Sequence, residues 1–168
     1  MIAIIINPVA GGRAHPIGAH VELARRAAAD IGEVADVFVT EQHGHARALT
    51  RTARENGARL VVAWGGDGTV NEVATELAFS AVPFAIVAGG SGNGLARELN
   101  VPANPARALA AALSATSRPM DVGEIDGHLF VNIAGLGFDA HVASRFNETG
   151  NQRRGFVGYA AIAARSLA

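Results

Sequence analysis

Two hydrophobic periods alternate along this chain, one suited to buried strands and one to amphipathic helices. Ile2 to Ile6 is apolar on both faces, which is expected of a central strand in a parallel sheet covered by helices on each side. Behind it come Pro16, apolar positions Ile17, Val21, Ala24, Ala28 and Ile31 at helical spacing, and Gly32, which together predict a helix with proline in its first turn and glycine at its end. Val34 to Val39 reads as a second strand, His45 to Glu55 as a second helix stopped by Asn56-Gly57, and Arg59 to Ala63 as a third strand. A helix from Thr69 to Phe79, a strand from Phe84 to Val87, and an alanine-rich helix opened by Asn104-Pro105 and running to about Ala115 complete the series. Strand and helix alternating in this way predict an α/β fold, a doubly wound parallel sheet with right-handed crossovers.

The pattern changes after Pro119. Asp121 to Ile125 and His128 to Asn132 alternate around Asp126-Gly127, a hairpin signal, and helical periodicity follows over 135–146 and 156–167. The expected division is an α/β domain over 1–119 and, over 120–168, an incomplete second domain with too little partner surface to form a core of its own.

Composition narrows the chemistry. The 168 residues carry a net charge of −1 and are 49% hydrophobic, which fits a globular protein and argues against nucleic-acid binding driven by bulk charge. All 14 basic residues are arginine, so a side-chain contact to phosphate has to come from a guanidinium, and a Walker-type lysine is excluded. The absence of cysteine removes disulfides, thiolate catalysis and the common structural zinc sites. Ile2 to Ile6 lacks a basic flank and breaks at Asn7-Pro8, unlike a signal peptide, and no apolar stretch approaches the roughly 18 residues of a membrane span. A cytoplasmic location is expected.

Glycine clusters fall directly after strands. Asn7 to Arg13 (with Gly11 and Gly12), Thr40-Glu41, Gly65-Gly66-Asp67-Gly68-Thr69-Val70-Asn71-Glu72, and Gly89 to Gly94 should all lie at the carboxyl edge of the sheet, where open parallel sheets bind ligands. Glycine there lets main-chain N–H groups approach a polyphosphate at the start of a helix. Each polar residue in these loops also has a structural reading. Thr69 to Glu72 fits a capping box as well as a ligand contact. Asn7 can fix its own turn or meet a nucleotide, and Arg13 can clamp phosphate oxygens or be a solvated loop residue. Asp67, an acid between glycines at a predicted anion site, reads as functional. His43 and His45 read as a solvated pair and Trp64 as core. Asn147-Glu148-Thr149 matches a glycosylation sequon, to which the other features give no support.

GGDGTVNEV, the preceding NPVAGGR and the later PFAIVAGGSGNGLARELNVP together resemble the diacylglycerol kinase catalytic domain family, which includes sphingosine kinases and bacterial lipid kinases. The resemblance extends through LFVNIAGLGFDAHV and RRGFVGYAAIAA, and GSGNGLAREL is most similar to the bacterial lipid kinase and sphingosine kinase branch. It implies an N-terminal ATP-binding domain, a C-terminal lipid-binding sandwich, and magnesium-dependent transfer of the γ-phosphoryl group to the hydroxyl of a membrane-derived lipid acceptor. Carried over by motif, the ATP contacts are Asn7, Gly11, Gly12, Arg13, Thr40, Gly65, Gly66, Asp67, Gly68, Thr69, Asn71, Glu72, Ser91, Gly92 and Asn93. Asp67 is also the candidate base, as its equivalent is in sphingosine kinases. No residues are expected to form a dedicated metal site. The family's acidic Asp-Gly-Glu type motif and its C-terminal magnesium ligands have no counterpart here, so a weak or inactive kinase portion is the expectation. Two alternatives stand beside it: a non-catalytic nucleotide-binding module whose open strand edge pairs with another chain, a second copy included, and an NAD kinase or phosphofructokinase relative, which SGNGLAREL disfavours. Arg153-Arg154 beside the apolar face of 156–167 reads either as a peripheral membrane contact or as a core helix.

Overall fold

The computed structural model describes residues 1–12 and 16–134. Strands β1 (Ile2–Ile6), β2 (Ala35–Val39), β3 (Leu60–Gly65) and β4 (Phe84–Ala88) form one parallel sheet in the order β2-β1-β3-β4. Successive side chains point to opposite faces, so Ala3 and Ile5 of β1 join Val61 and Ala63 of β3 in one core, and Ile2, Ile4 and Ile6 join Leu60, Val62 and Trp64 in the other. The first core is covered by α2 (His45–Glu55) and α3 (Asp67–Leu77) through Ala46, Ala53, Val70, Val73 and Leu77. The second is covered by α1 (Ile17–Ala29) and α5 (Pro105–Ser114) through Ala24, Ala108 and Leu109. All five residues of β1 are fully buried, which explains the unbroken apolar run; each large side chain removed from water there stabilises by about 1.5–3 kcal/mol.

The helix ends follow from local chemistry. Asn104 caps α5 by accepting the Arg107 N–H at 3.1 Å, with Pro105 in the first turn. After α2 the chain reverses through Gly57 at φ 79°, and the Ala58 N–H returns to the Ala53 carbonyl at 2.9 Å. Beyond α5, β5 (Gly123–Ile125) and β6 (His128–Phe130) pair around Asp126 and Gly127, both at positive φ, as a two-residue hairpin turn requires.

Two predicted elements shift and two short ones appear unannounced. Helix α3 starts at Asp67 rather than Thr69, and the hairpin strands are shorter than the alternation predicts. Pairing stops at Gly123 and Phe130 because the next N–H, that of Val131, is taken by the Asn71 side chain at 3.1 Å. Val131 is buried in the core beneath α3, and Val122 packs against the same core. The extra elements are a 3-10 turn over Ala10–Gly12 and α4 (Gly94–Glu98), whose three and five residues are too few to show a helical period. Arg13, His15, the predicted helices over 135–146 and 156–167, the sequon and Arg153-Arg154 lie outside the described residues.

Candidate functional site

The strand register brings the loops to one level. Ile6 pairs with both Val39 and Trp64, the Asn7 N–H donates to the Trp64 carbonyl at 2.8 Å, the Thr40 N–H to the Ile6 carbonyl at 2.9 Å, and the Gly89 N–H to the Gly65 carbonyl at 2.8 Å. Four loops therefore leave the sheet at the same carboxyl edge. The chain moves outward from β1 to β2 and then crosses back to β3, so the order reverses between β1 and β3, where Asn7 and Gly66 sit. Open parallel sheets bind their ligands at such a reversal.

Polar side chains in these loops bond mainly to the backbone of the neighbouring loops and of their own. Asn7 accepts the Val9 N–H at 3.1 Å, fixing its own turn, and its amide donates to the Thr69 hydroxyl at 3.0 Å. The two Asp67 oxygens accept the Asn93 N–H at 2.8 Å and the Gly94 N–H at 2.6 Å. Asn93, at φ 55°, closes its loop by exchanging side-chain bonds with the N–H and carbonyl of Gly90 at 2.8 and 2.6 Å. The loops after β1, β3 and β4 are thereby tied together.

Most of the glycines serve that same packing. A Cβ on Gly90 would stand 2.6 Å from the Gly66 Cα and 2.8 Å from the Asn93 Oδ1, and a Cβ on Gly92 would stand 2.6 Å from the Asp67 Oδ2. Gly11, at φ 73°, lies so close to the Gly89 carbonyl that a Cβ would approach it to 3.0 Å. Gly65 is filled from above by the Thr69 side chain. Gly68 differs, because nothing lies within 4 Å of its Cβ position and its backbone is ordinary helix.

The capping box does not form. Helix α3 is capped by Gly66, which supplies no side-chain oxygen, and Thr69 turns instead to Asn7. Glu72 reaches across to the start of α2, accepting the Gly44 N–H at 2.9 Å and the Arg47 N–H at 3.3 Å. The glutamate thus satisfies donors of a neighbouring helix whose own cap, Gly44, has no side chain to offer. His45 is not a solvated partner of His43: its Nδ1 accepts the Glu41 N–H at 3.1 Å, whereas the His43 side chain is fully exposed. Trp64 is buried as expected and stacks on His20 at 4.5 Å, a pairing that spacing in sequence does not reveal.

An open cleft of about 520 Å³ lies beside this lattice. Asp67, Gly68, Asn71 and Gly92 line one side, Leu95 and Arg97 of α4 another, and Phe130 to Ile133 close it from the hairpin. Ser91 and Gly92 are exposed at its edge, whereas Thr40 and Thr69 are buried in the rim. Sequence reasoning missed Arg97 and the hairpin wall; Arg97 was within reach as a cation in the matched SGNGLAREL segment. Among the described residues no three metal-ligating side chains cluster.

A sequence model of the diacylglycerol kinase catalytic domain matches residues 1–125. The chain belongs to the diacylglycerol kinase catalytic domain family. It is 40% identical over 130 residues to a protein of Pseudomonas aeruginosa PAO1 named probable lipid kinase YegS-like, covering 76% of this chain and 43% of that protein. A protein of the same name in Chromohalobacter salexigens is 39% identical over 112 residues, covering 64% of this chain and 36% of that one. The crystal structure of a diacylglycerol kinase from Bacillus anthracis superposes with a TM-score of 0.65 at 29% identity, over 78% of this chain and 49% of the other. The chain spans less than half the length of these relatives. This lipid kinase family membership replaces the NAD kinase alternative.

Proposed function

We propose that this chain is the ATP-binding portion of a lipid kinase that passes the γ-phosphoryl group of ATP to a lipid hydroxyl. The observation that carries the reading is the lattice of three tied loops at the sheet reversal, which fixes the first turn of α3 beside an open cleft. The N–H groups of that turn have no side-chain cap, and the positive end of the helix dipole favours phosphate there. Gly68 supports the same reading, since the fold leaves its Cβ position empty and a close-approaching ligand gives glycine a reason. The cleft walls of Val70, Leu95, Phe130, Val131 and Ile133 are apolar, and suit the carbon skeleton of an amphiphilic acceptor.

In this reading the protein's own work is positioning. Phosphoryl transfer through a loose transition state needs alignment and charge neutralisation more than covalent help. Asp67 faces the cleft and is the candidate base, although both its oxygens already hold backbone N–H groups. As it does so it aligns the loops after β3 and β4, a role independent of proton transfer. The donor set of the described residues does not form a magnesium cage; magnesium, which would neutralise phosphate charge, belongs here with the nucleotide's phosphates. The division into an ATP domain over 1–119 and the beginning of a lipid-binding domain, a cytoplasmic location and contact with a membrane surface all belong to this proposal. No helix among the described residues is long and apolar enough to cross a membrane.

Calorimetric titration of the folded chain with ATP and magnesium tests it. Saturable binding is expected, with little or no lipid phosphorylation by this chain alone. An absence of heat from protein with an intact circular dichroism spectrum would overturn the reading.

A further inference from the structure

The arginines of the described chain divide by partner. Arg51 and Arg54 pair with Glu76, Arg59 with Glu33, and Arg47 donates to the Thr75 hydroxyl at 3.2 Å. The guanidinium of Arg97 makes no hydrogen bond or ion pair with any described residue, and Arg97 belongs to the lining of the same cleft as Asp67, Gly68 and Gly92. The one carboxylate among the described residues of that lining, Asp67, is already committed to the Asn93 and Gly94 N–H groups on the turn from which α4 begins. Arg97 is therefore carried on a short helix anchored by the loop lattice, exposed in the cleft lining and without a carboxylate partner among the described residues. The other described arginines without partners, Arg25, Arg26, Arg107 and Arg118, do not line it.

We propose that Arg97 binds phosphoryl oxygens in this cleft, acting as the cation that the lysine-free sequence has to supply as guanidinium. The proposal rests on the lipid kinase reading and adds a residue to it. A guanidinium offers paired N–H donors that match two phosphate oxygens, and a phosphoryl group between Arg97 and the uncapped first turn of α3 meets donors from two elements. Two sources share this chemistry: the terminal phosphates of the nucleotide donor, and a phosphate-bearing headgroup in the acceptor half of the cleft.

The test uses the full chain and its R97A and R97K variants, each checked for an unchanged melting temperature. Inorganic pyrophosphate is titrated while the side-chain Nε–H signal of Arg97 is followed by NMR, and MgATP, AMP and monomeric dihexanoyl phosphatidic acid are titrated by calorimetry. The Arg97 signal should shift with pyrophosphate, and R97A should weaken phosphoryl binding by about tenfold or more, with R97K restoring it only in part. A loss confined to MgATP, with AMP unaffected, assigns the nucleotide phosphates; a loss confined to phosphatidic acid assigns the acceptor headgroup. Wild-type affinity of R97A for every ligand, or an Arg97 signal that stays still while pyrophosphate binds, overturns the proposal and leaves the nucleotide reading standing. Pyrophosphate binding through Arg97 without any binding of MgATP would overturn the nucleotide reading and leave Arg97 in place.

Discussion

At one end of α3 the Asp67 carboxylate accepts two backbone N–H groups from the loop after β4; at the other end Glu76 faces the guanidinium groups of Arg51 and Arg54 on α2. Both are carboxylates on one helix, yet they hold different things. Glu76 joins two helices along their solvent face, with Arg51 bonding both its oxygens at 3.0 Å. Asp67 joins the loops after β3 and β4, beside the point where the sheet order reverses, so its removal alters the shape of a cleft as well as the stability of a fold. A mutation at the rim is therefore expected to move binding and stability together, and one on the outer face to move stability alone.

The largest effect is expected where loop packing leaves no room. Gly90→Ala places a methyl group against the Gly66 backbone and the Asn93 amide, and should cost about 2–3 kcal/mol by thermal melting, with loss of nucleotide binding. Asp67→Ala leaves the Asn93 and Gly94 N–H groups to water at an exposed site and should cost about 1–2 kcal/mol. Asp67→Asn separates the roles. It keeps one acceptor oxygen, so retained binding with abolished phosphoryl transfer in a chain carrying the whole enzyme would mark the base, and a parallel loss of both would mark the latch.

These two positions also show what was legible beforehand. The apolar period gave the sheet and its long helices, because β1 is buried on both faces and α2 and α5 end at Gly57 and begin at Asn104. The glycine clusters located the rim. Their detailed meaning was not legible, because glycines spaced for phosphate approach and glycines spaced for loop contact read alike. Only the structure separates Gly90, pressed on Gly66, from Gly68, facing open space. The apparent capping box misled for a similar reason: Thr69 and Glu72 have the right spacing, but Asn7 and the start of α2, far away in sequence, are the partners that compete for them. A five-residue α4 carries too little periodicity to announce itself, and Arg97 was hidden with it.

Glu72→Ala should remove the acceptor for two N–H groups at the start of α2 and cost about 1 kcal/mol, the scale of a lost helix cap. Glu76 gives a smaller effect with a defined pH dependence. The Arg51 side-chain hydrogen bond holds its carboxyl below the usual value of 4.5, against the opposing effect of burial. A carboxyl lowered in the folded state contributes stability that is present above 4.5 and is lost as the pH falls through the folded value. Glu76→Gln should therefore lower stability at neutral pH by less than about 1 kcal/mol, flatten its fall in acid, and leave nucleotide binding unchanged. Added salt should diminish the difference.

Gly68→Ala is expected to show the smallest change in stability, within about 0.5 kcal/mol, because the methyl group meets nothing and helix propensity improves. The same change should impair binding of MgATP if phosphate approaches the first turn of α3. The most direct measurement of the central claim is an NMR titration of the isotopically labelled chain with MgATP. The amides of Gly68, Thr69, Ser91 and Gly92 should shift together in the wild type and lose that response in Gly68→Ala. A folded spectrum in which those signals stay fixed at saturating MgATP would contradict it.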